Sequence, residues 1–256
     1  MALPRAELET LLRARQLDRT LTTALAPIDS SDDAAVASTG LSALDAHLSG
    51  GFPRGQLSEL VGSRSSGRTS ILLRTIAAAT TRGELVAVVD ALDMFDVESA
   101  AAAGVELDRV LWIRGQVVIN PGLCRDVNQR ALEQAIRALA LVLQAGNFGM
   151  VVLDVAEAPP DALRRLPFTT WLRLQRMVEG TQTACLLVGG DAMARSSAGL
   201  TLWTARRESG FERKTAGRFG ARLFEGLDLD ARAVRARTRA DGGAAIALRT
   251  LAVDHA

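Results

Sequence analysis

Leu8, Leu11, Leu12, Leu17, Leu21 and Leu25 recur at roughly helical spacing with charged residues between them, which predicts an amphipathic helix from Arg5 to about Ala24. The stretch that follows, residues 27–37, is polar and lacks an apolar period, so it reads as a linker. The helix would serve either as a clasp on the chain's own core or as an arm that docks on a partner. Beyond the linker, short leucine- and valine-rich runs alternate with longer amphipathic stretches. The runs are LSELVG, ELVAVVD, RVLWIRG, GMVVLDV and TACLLVGG; helices are expected from Thr69, through VESAAAAG, from about Val127 to Ala145, and through WLRLQRMVEG. Such alternation predicts an α/β fold with a mostly parallel central sheet and helices on both faces. After Ala198 the segments shorten to LTLWTAR, RLFEGLDL and AIALRTLAV, which suit antiparallel edge strands. The expected organisation is a helix and linker over residues 1–37 and one core over residues 38–256.

The clearest chemical signal lies immediately after the strand LSELV. Gly62-Ser63-Arg64-Ser65-Ser66-Gly67-Arg68-Thr69-Ser70 matches a phosphate-binding loop, GxxxxGK[ST], at every defined position except the lysine, where Arg68 stands. Glycines in such a loop let backbone N–H groups curl around phosphate oxygens at a helix N-terminus, and the hydroxyl after the basic residue holds a magnesium ion. An ordinary Gly/Ser-rich turn would have the same composition, so the neighbouring segments decide.

Composition narrows the function. The formal charge of +1, from 30 basic and 29 acidic residues, gives no whole-molecule field for nucleic acid, so any DNA contact is local. With no Tyr and 4% aromatic residues, stacking platforms for single-stranded bases are scarce. Cys124 and Cys185 lack any metal-ligand spacing and read as buried thiols of a reducing compartment. The N-terminal stretch has no apolar signal region, so the expected location is the cytoplasm.

The segments around the loop resemble the RecA core. STGLSALDAHLSGGFPRGQLSELVG is similar to the lead-in to its phosphate loop, VVDALDMFDVESAAAAGVELDRVLWIRG to its second and third strands with the helix between them, and FGMVVLDV to the Walker B strand ending in Asp154. The resemblance covers about residues 38–210. Within that superfamily, VDALDMFDVESAAAAGVELDRVLWIRG, ALEQAIRALALVLQAG and LRLQRMVEGTQTACLLVGG resemble the short RecA-like mutagenesis proteins called ImuA. That resemblance implies a DNA-damage-induced protein working in translesion synthesis with the polymerase-like ImuB and an error-prone replicative-type polymerase, and binding RecA.

Set against the RecA pattern, the nucleotide site departs at four places. Arg68 replaces the phosphate-contacting lysine, a broad planar fork in place of a compact point charge. Since Lys214 is the chain's only lysine, compositional drift also accounts for that change. Leu92 stands at the position of the glutamate that activates water, and leucine accepts no proton. Asp93 is adjacent, but alternation along an extended segment would point it the other way. In the adenine region Asp96 is kept while Ser99 replaces the stacking tyrosine, and Gly189, Gly190 and Asp191 stand where an Asn-Gln pair would sense the γ-phosphate. Asp154, with Thr69, would bridge to magnesium, or it would simply cap a strand end.

The span DAMARSSAG is too short to reproduce the second DNA-binding loop of a recombinase. Farther on, Arg232, Arg235, Arg237 and Arg239 form a basic segment with three readings: a DNA-backbone contact, a dock for an acidic protein surface, or a solvated edge strand. The sequence thus favours a non-catalytic accessory protein that requires no cofactor and at most binds Mg-ATP weakly. Its rival is a RecA-type ATP-binding protein or DNA-dependent ATPase of recombination and repair.

Overall fold

The computed structural model describes residues 36–115, 125–194, 198–207, 226–236 and 244–251. The helix expected over residues 5–24, together with Cys124, Arg237 and Arg239, lies outside the described residues.

A two-stranded antiparallel ribbon, β1 (Val36–Ala37) with β2 (Phe52–Pro53), flanks the short helix α1 (Ser42–Leu48). The turn before β2 demands glycine: Gly51 has φ +136°, and a Cβ there would stand 2.1 Å from the Ala37 carbonyl oxygen. Then come β3 (Leu57–Gly62), α2 (Arg68–Thr81), β4 (Val86–Asp90), α3 (Val97–Ala102), β5 (Val110–Arg114), α4 (Arg125–Ala145) and β6 (Met150–Asp154). The chain continues through α5 (Pro160–Arg164), α6 (Phe168–Val178), β7 (Ala184–Gly189), β8 (Ala198–Arg206), β9 (Gly226–Ala236) and β10 (Ile246–Leu251).

Strands β3 to β10 form one sheet in the order β10-β9-β8-β3-β7-β6-β4-β5. The pairings from β5 across to β8 are parallel, and β9 and β10 add antiparallel strands at one edge. The sequence expectation of an antiparallel edge holds for β9 and β10, but β8 is a junction, parallel to β3 and antiparallel to β9.

The sheet is buried on both faces because its strands are apolar at successive positions and so send alternate side chains to opposite sides. Val86, Val88, Met150, Val152, Leu186 and Val188 pack with α1, α2 and α3 on one face. Ala87, Val89, Val151, Leu153, Cys185 and Leu187 pack with α4, α5 and α6 on the other. Helix α4 buries Asn128, Ala131, Leu132, Ala135, Leu139, Val142 and Leu143, a helical stripe facing the sheet. Burial pushes the Cys185 thiol up to about 12, so it is a packing residue and not a nucleophile.

Buried polar groups lock the loops around this core. The Arg54 guanidinium donates to the carbonyls of Val36 (3.2 Å), Gly149 (2.9 Å) and Gln182 (2.9 Å) and pairs with Glu84 at 2.7 Å. Glu59 in β3 accepts from the Met193 and Ala194 amides at 2.6 and 2.7 Å and from Thr201 Oγ1 at 2.7 Å, which ties the segment after β7 to the sheet.

A candidate phosphate-binding site

In a parallel sheet the chemistry gathers at the carboxyl ends of the strands. Here the ends of β3, β4, β6 and β7 bring together Gly62, Asp90, Asp154 and Gly189. The loop from Gly62 runs into α2 as the motif requires. Gly67 sits at the N-cap with φ +79°, a left-handed conformation that suits glycine. A Cβ on Gly67 would come within 2.0 Å of Leu229 Cδ1, so β9 lies directly against the loop. Ser66 is buried, its hydroxyl 3.0 Å from Thr204 Oγ1 of β8, whereas Ser65, Thr69 and Ser70 are exposed.

Arg68 is 6% exposed and spends its guanidinium on the protein itself. Its Nη1 donates to the carbonyl oxygens of Gly62 and Gly189, the latter at 2.9 Å. Its Nη2 lies 3.7 Å from Glu157 Oε1. Gly189, expected to offer no side-chain contact, therefore contributes through its backbone.

Leu92 is 7% exposed and packs in the core cluster with Val89, Leu153 and Val155. The separation of Leu92 from Asp93 has a different cause from the strand alternation expected: Asp93 adopts φ +58°, a left-handed turn just past β4. Its carboxylate is gripped by Arg114 through two bonds of 2.7 Å, and that hydrogen bonding holds Asp93 below the usual carboxylate range. Arg114 also lies over the Trp112 ring at 4.5 Å. Buried Asp90 accepts from Phe95 N at 2.7 Å and Trp112 Nε1 at 3.3 Å. The carboxylates nearest Leu92 in sequence are thus committed to structure.

Asp96 caps α3: Oδ1 accepts from Glu98 N at 3.2 Å, and Oδ2 from the Ser99 hydroxyl. The hydrogen bond from Ser99 lowers the Asp96 pKa, so these two residues of the expected adenine region are joined to each other. Asp154 Oδ1 accepts from Ala156 N at 2.9 Å, the strand-end capping foreseen as one of its uses. Desolvation pushes its pKa up to about 6, reinforced by Asp90 and Glu157 and opposed by the Ala156 amide and Arg68.

Thr69 and Ser70 border two cavities. One of about 130 Å³ covers the loop and touches Leu227; the other, about 690 Å³, is lined by Arg74, Asp96, Ser99, Leu229, Leu248 and Arg249. Both cavities meet at Thr69 and Ser70, where the expected nucleotide site begins. Leu92, at the position that the resemblance gives to a water-activating glutamate, offers no proton acceptor. Among the described residues no group of three or more His, Cys, Asp or Glu side chains is placed to hold a metal ion. No helix among them is long and apolar enough to cross a membrane. Glu157, Thr204 and Leu229 escaped sequence reasoning, since none belongs to the loop motif.

Of the basic segment, Arg232 is exposed on β9 with its guanidinium 5.9 Å from the ring centre of Trp203, itself 40% exposed. Arg235 stands opposite Thr201 in the register, past an irregularity that leaves Val234 unmatched.

A mostly parallel sheet sandwiched by helices, with a glycine-rich loop leading from the inner strand β3 into α2, defines a P-loop α/β protein. Residues 23–162, more than half of the chain, match the RecA N-terminal domain, and the chain belongs to that family. It is 37% identical over 138 residues to Protein RecA of Chlorobaculum parvum, covering 51% of this chain and 36% of that protein. Against Protein RecA of Clavibacter michiganensis subsp. michiganensis it is 36% identical over 161 residues, or 57% of this chain and 41% of the relative. The chain thus spans about two fifths of the length of these curated relatives. The crystal structure of the RadB recombinase superposes with a TM-score of 0.56 at 19% identity, covering 84% of this chain and 94% of that one, which establishes the fold.

Proposed function

We propose that this RecA-family chain is a non-catalytic accessory protein of the DNA-damage response, of the ImuA type, supporting error-prone translesion synthesis by binding RecA, ImuB or both. The error-prone replicative-type polymerase is reached indirectly, DNA contact is weak, and the site of action is the cytoplasm. The observation that carries the reading is Leu92, buried in the core where a RecA-type enzyme needs a proton acceptor. Loss of a general base removes about 10²- to 10⁴-fold in rate. Arg68, tied to the Gly62 and Gly189 carbonyls, adds to it. Steady-state ATP turnover of the purified chain, with and without single-stranded DNA, is expected at background. Robust DNA-stimulated turnover that vanishes in a Thr69→Ala protein overturns the reading.

A second reading, an ATP-binding RecA-type protein of recombination and repair, draws support from the left-handed Gly67 and from exposed Thr69 and Ser70 beside the cavity of about 690 Å³. In that case Thr69 and Asp154 would hold the magnesium ion. Thermal-shift titration with Mg-ATP separates the two, because a ligand that binds only the folded state raises its melting temperature. The accessory reading expects little shift at micromolar nucleotide; a large one favours the ATP-binding protein.

A further inference from the structure

Between Gly62 and Thr69 the cations are Arg64 and Arg68, and both are turned towards one carboxylate, that of Glu157. Arg64 places Nε at 2.8 Å and Nη2 on Glu157 Oε2, while Arg68 Nη2 approaches Oε1 at 3.7 Å. Each carboxylate oxygen is thus assigned to a different arginine. The turn after β6 aims Glu157 at them: Val155 N bonds to Val188 O at 3.0 Å, Ala156 N to Asp154 Oδ1 at 2.9 Å, and Ala158 N to Val155 O at 3.0 Å. Arg68 nevertheless keeps one donor unmet, since its buried Nε has no acceptor. A guanidinium offers donors in a fixed fork suited to a tetrahedral or planar anion, and an orphaned donor marks an incompletely matched one.

We propose that Glu157 is the specificity-determining residue of the loop, an internal carboxylate that engages Arg64 and Arg68 and so excludes phosphate anions from it. Glu157 reaches the loop from the turn after β6 and carries the one charge sign that the arginines of a phosphate loop are suited to receive. A polyphosphate ligand must first displace it, and the apparent affinity falls by the fraction of molecules in which the carboxylate has moved away. The glutamine variant removes the charge but keeps an oxygen that accepts from Arg64, so the turn can persist while the arginines gain a free anion site. This inference holds whether or not the chain docks on a partner.

The test is isothermal titration calorimetry of the full chain with inorganic tripolyphosphate and, separately, Mg-ATP. Glu157→Gln is expected to bind tripolyphosphate at least tenfold tighter than the unaltered chain. Adding Arg64→Ala, a change at an exposed side chain, is expected to cancel much of the gain. Glu157→Asp, which keeps the charge but withdraws it by one methylene, should fall between the two and supplies the measurement if the glutamine variant fails to fold. Equal or weaker binding in the folded Glu157 variants overturns the proposal, as does unaltered chain that already binds tripolyphosphate as tightly as they do. A gain in binding without ATP turnover supports this proposal and the accessory reading together. A gain accompanied by turnover supports it while overturning the accessory reading.

Discussion

At the end of β6 the Asp154 carboxyl gives up much of its hydration, and its affinity for a proton rises until its pKa is about 6. A raised folded-state value means that the native state holds the proton more tightly than the unfolded chain does. The stability gained is complete below the unfolded pKa of about 3.9 and is lost as pH climbs through about 6. The Asp154→Asn protein is therefore expected to unfold like the unaltered chain near pH 4. It should be more stable above pH 6 by up to about 3 kcal/mol. Urea unfolding at both pH values checks this; a difference that is the same at both removes Asp154 as its source. At this scale the sequence was informative where chemistry is local. Arg68 and Leu92 announce themselves by being the wrong residue at a motif position. Glu157 does not, because its pairing with Arg64 spans 93 residues and depends on how the end of β6 faces the loop.

The phosphate loop and β9 form one packed unit whose intimacy rests on a missing side chain. Gly67 has both a left-handed backbone and Leu229 pressed where a Cβ would be. Gly67→Ala is expected to cost about 1–3 kcal/mol through overpacking. Leu229→Ala alone costs about 2–5 kcal/mol by leaving a cavity. If the two side chains compete for the same space, the double variant must lose less than the sum of the single losses, by about 0.5–3 kcal/mol of coupling. Urea denaturation of the four proteins measures it, and strict additivity would show that Leu229 does not touch the loop. The elements themselves were largely readable, since the apolar runs of β4, β6 and β7, buried on both faces, and the apolar stripe of α4 follow directly from side-chain spacing. Strand direction at the edge was less so. An apolar run such as LTLWTAR has the same pattern whether its neighbour runs parallel or antiparallel, and β8 does both.

Across the whole molecule, the RecA-type core holds its shape through burial on both sheet faces and through clips such as Arg54 and Glu59, none of which requires a nucleotide. The proposed accessory role requires this core to act by contact with other proteins. The surfaces proposed for that contact are residues 1–26 and the basic segment containing Arg232, Arg235 and Arg237. Arg232 is exposed beside Trp203, so a charged and an aromatic side chain face solvent together on the antiparallel edge of the sheet. By contrast, Arg207 and Arg249 pair with Asp230 and Asp228 at 3.1 and 3.9 Å, which leaves them less free to meet an acidic partner. Electrostatic complementarity of this kind acts chiefly on association rate and on salt sensitivity. Deleting residues 1–26, or replacing Arg232, Arg235 and Arg237 by glutamate, is therefore expected to weaken binding to RecA or ImuB while the core stays folded. For the charge-reversed protein the loss should lie mainly in the association rate and shrink as salt is raised. Surface plasmon resonance at low and high salt, with circular dichroism as the folding control, decides the matter; unchanged affinity in both variants excludes these surfaces and moves the contact elsewhere on the core.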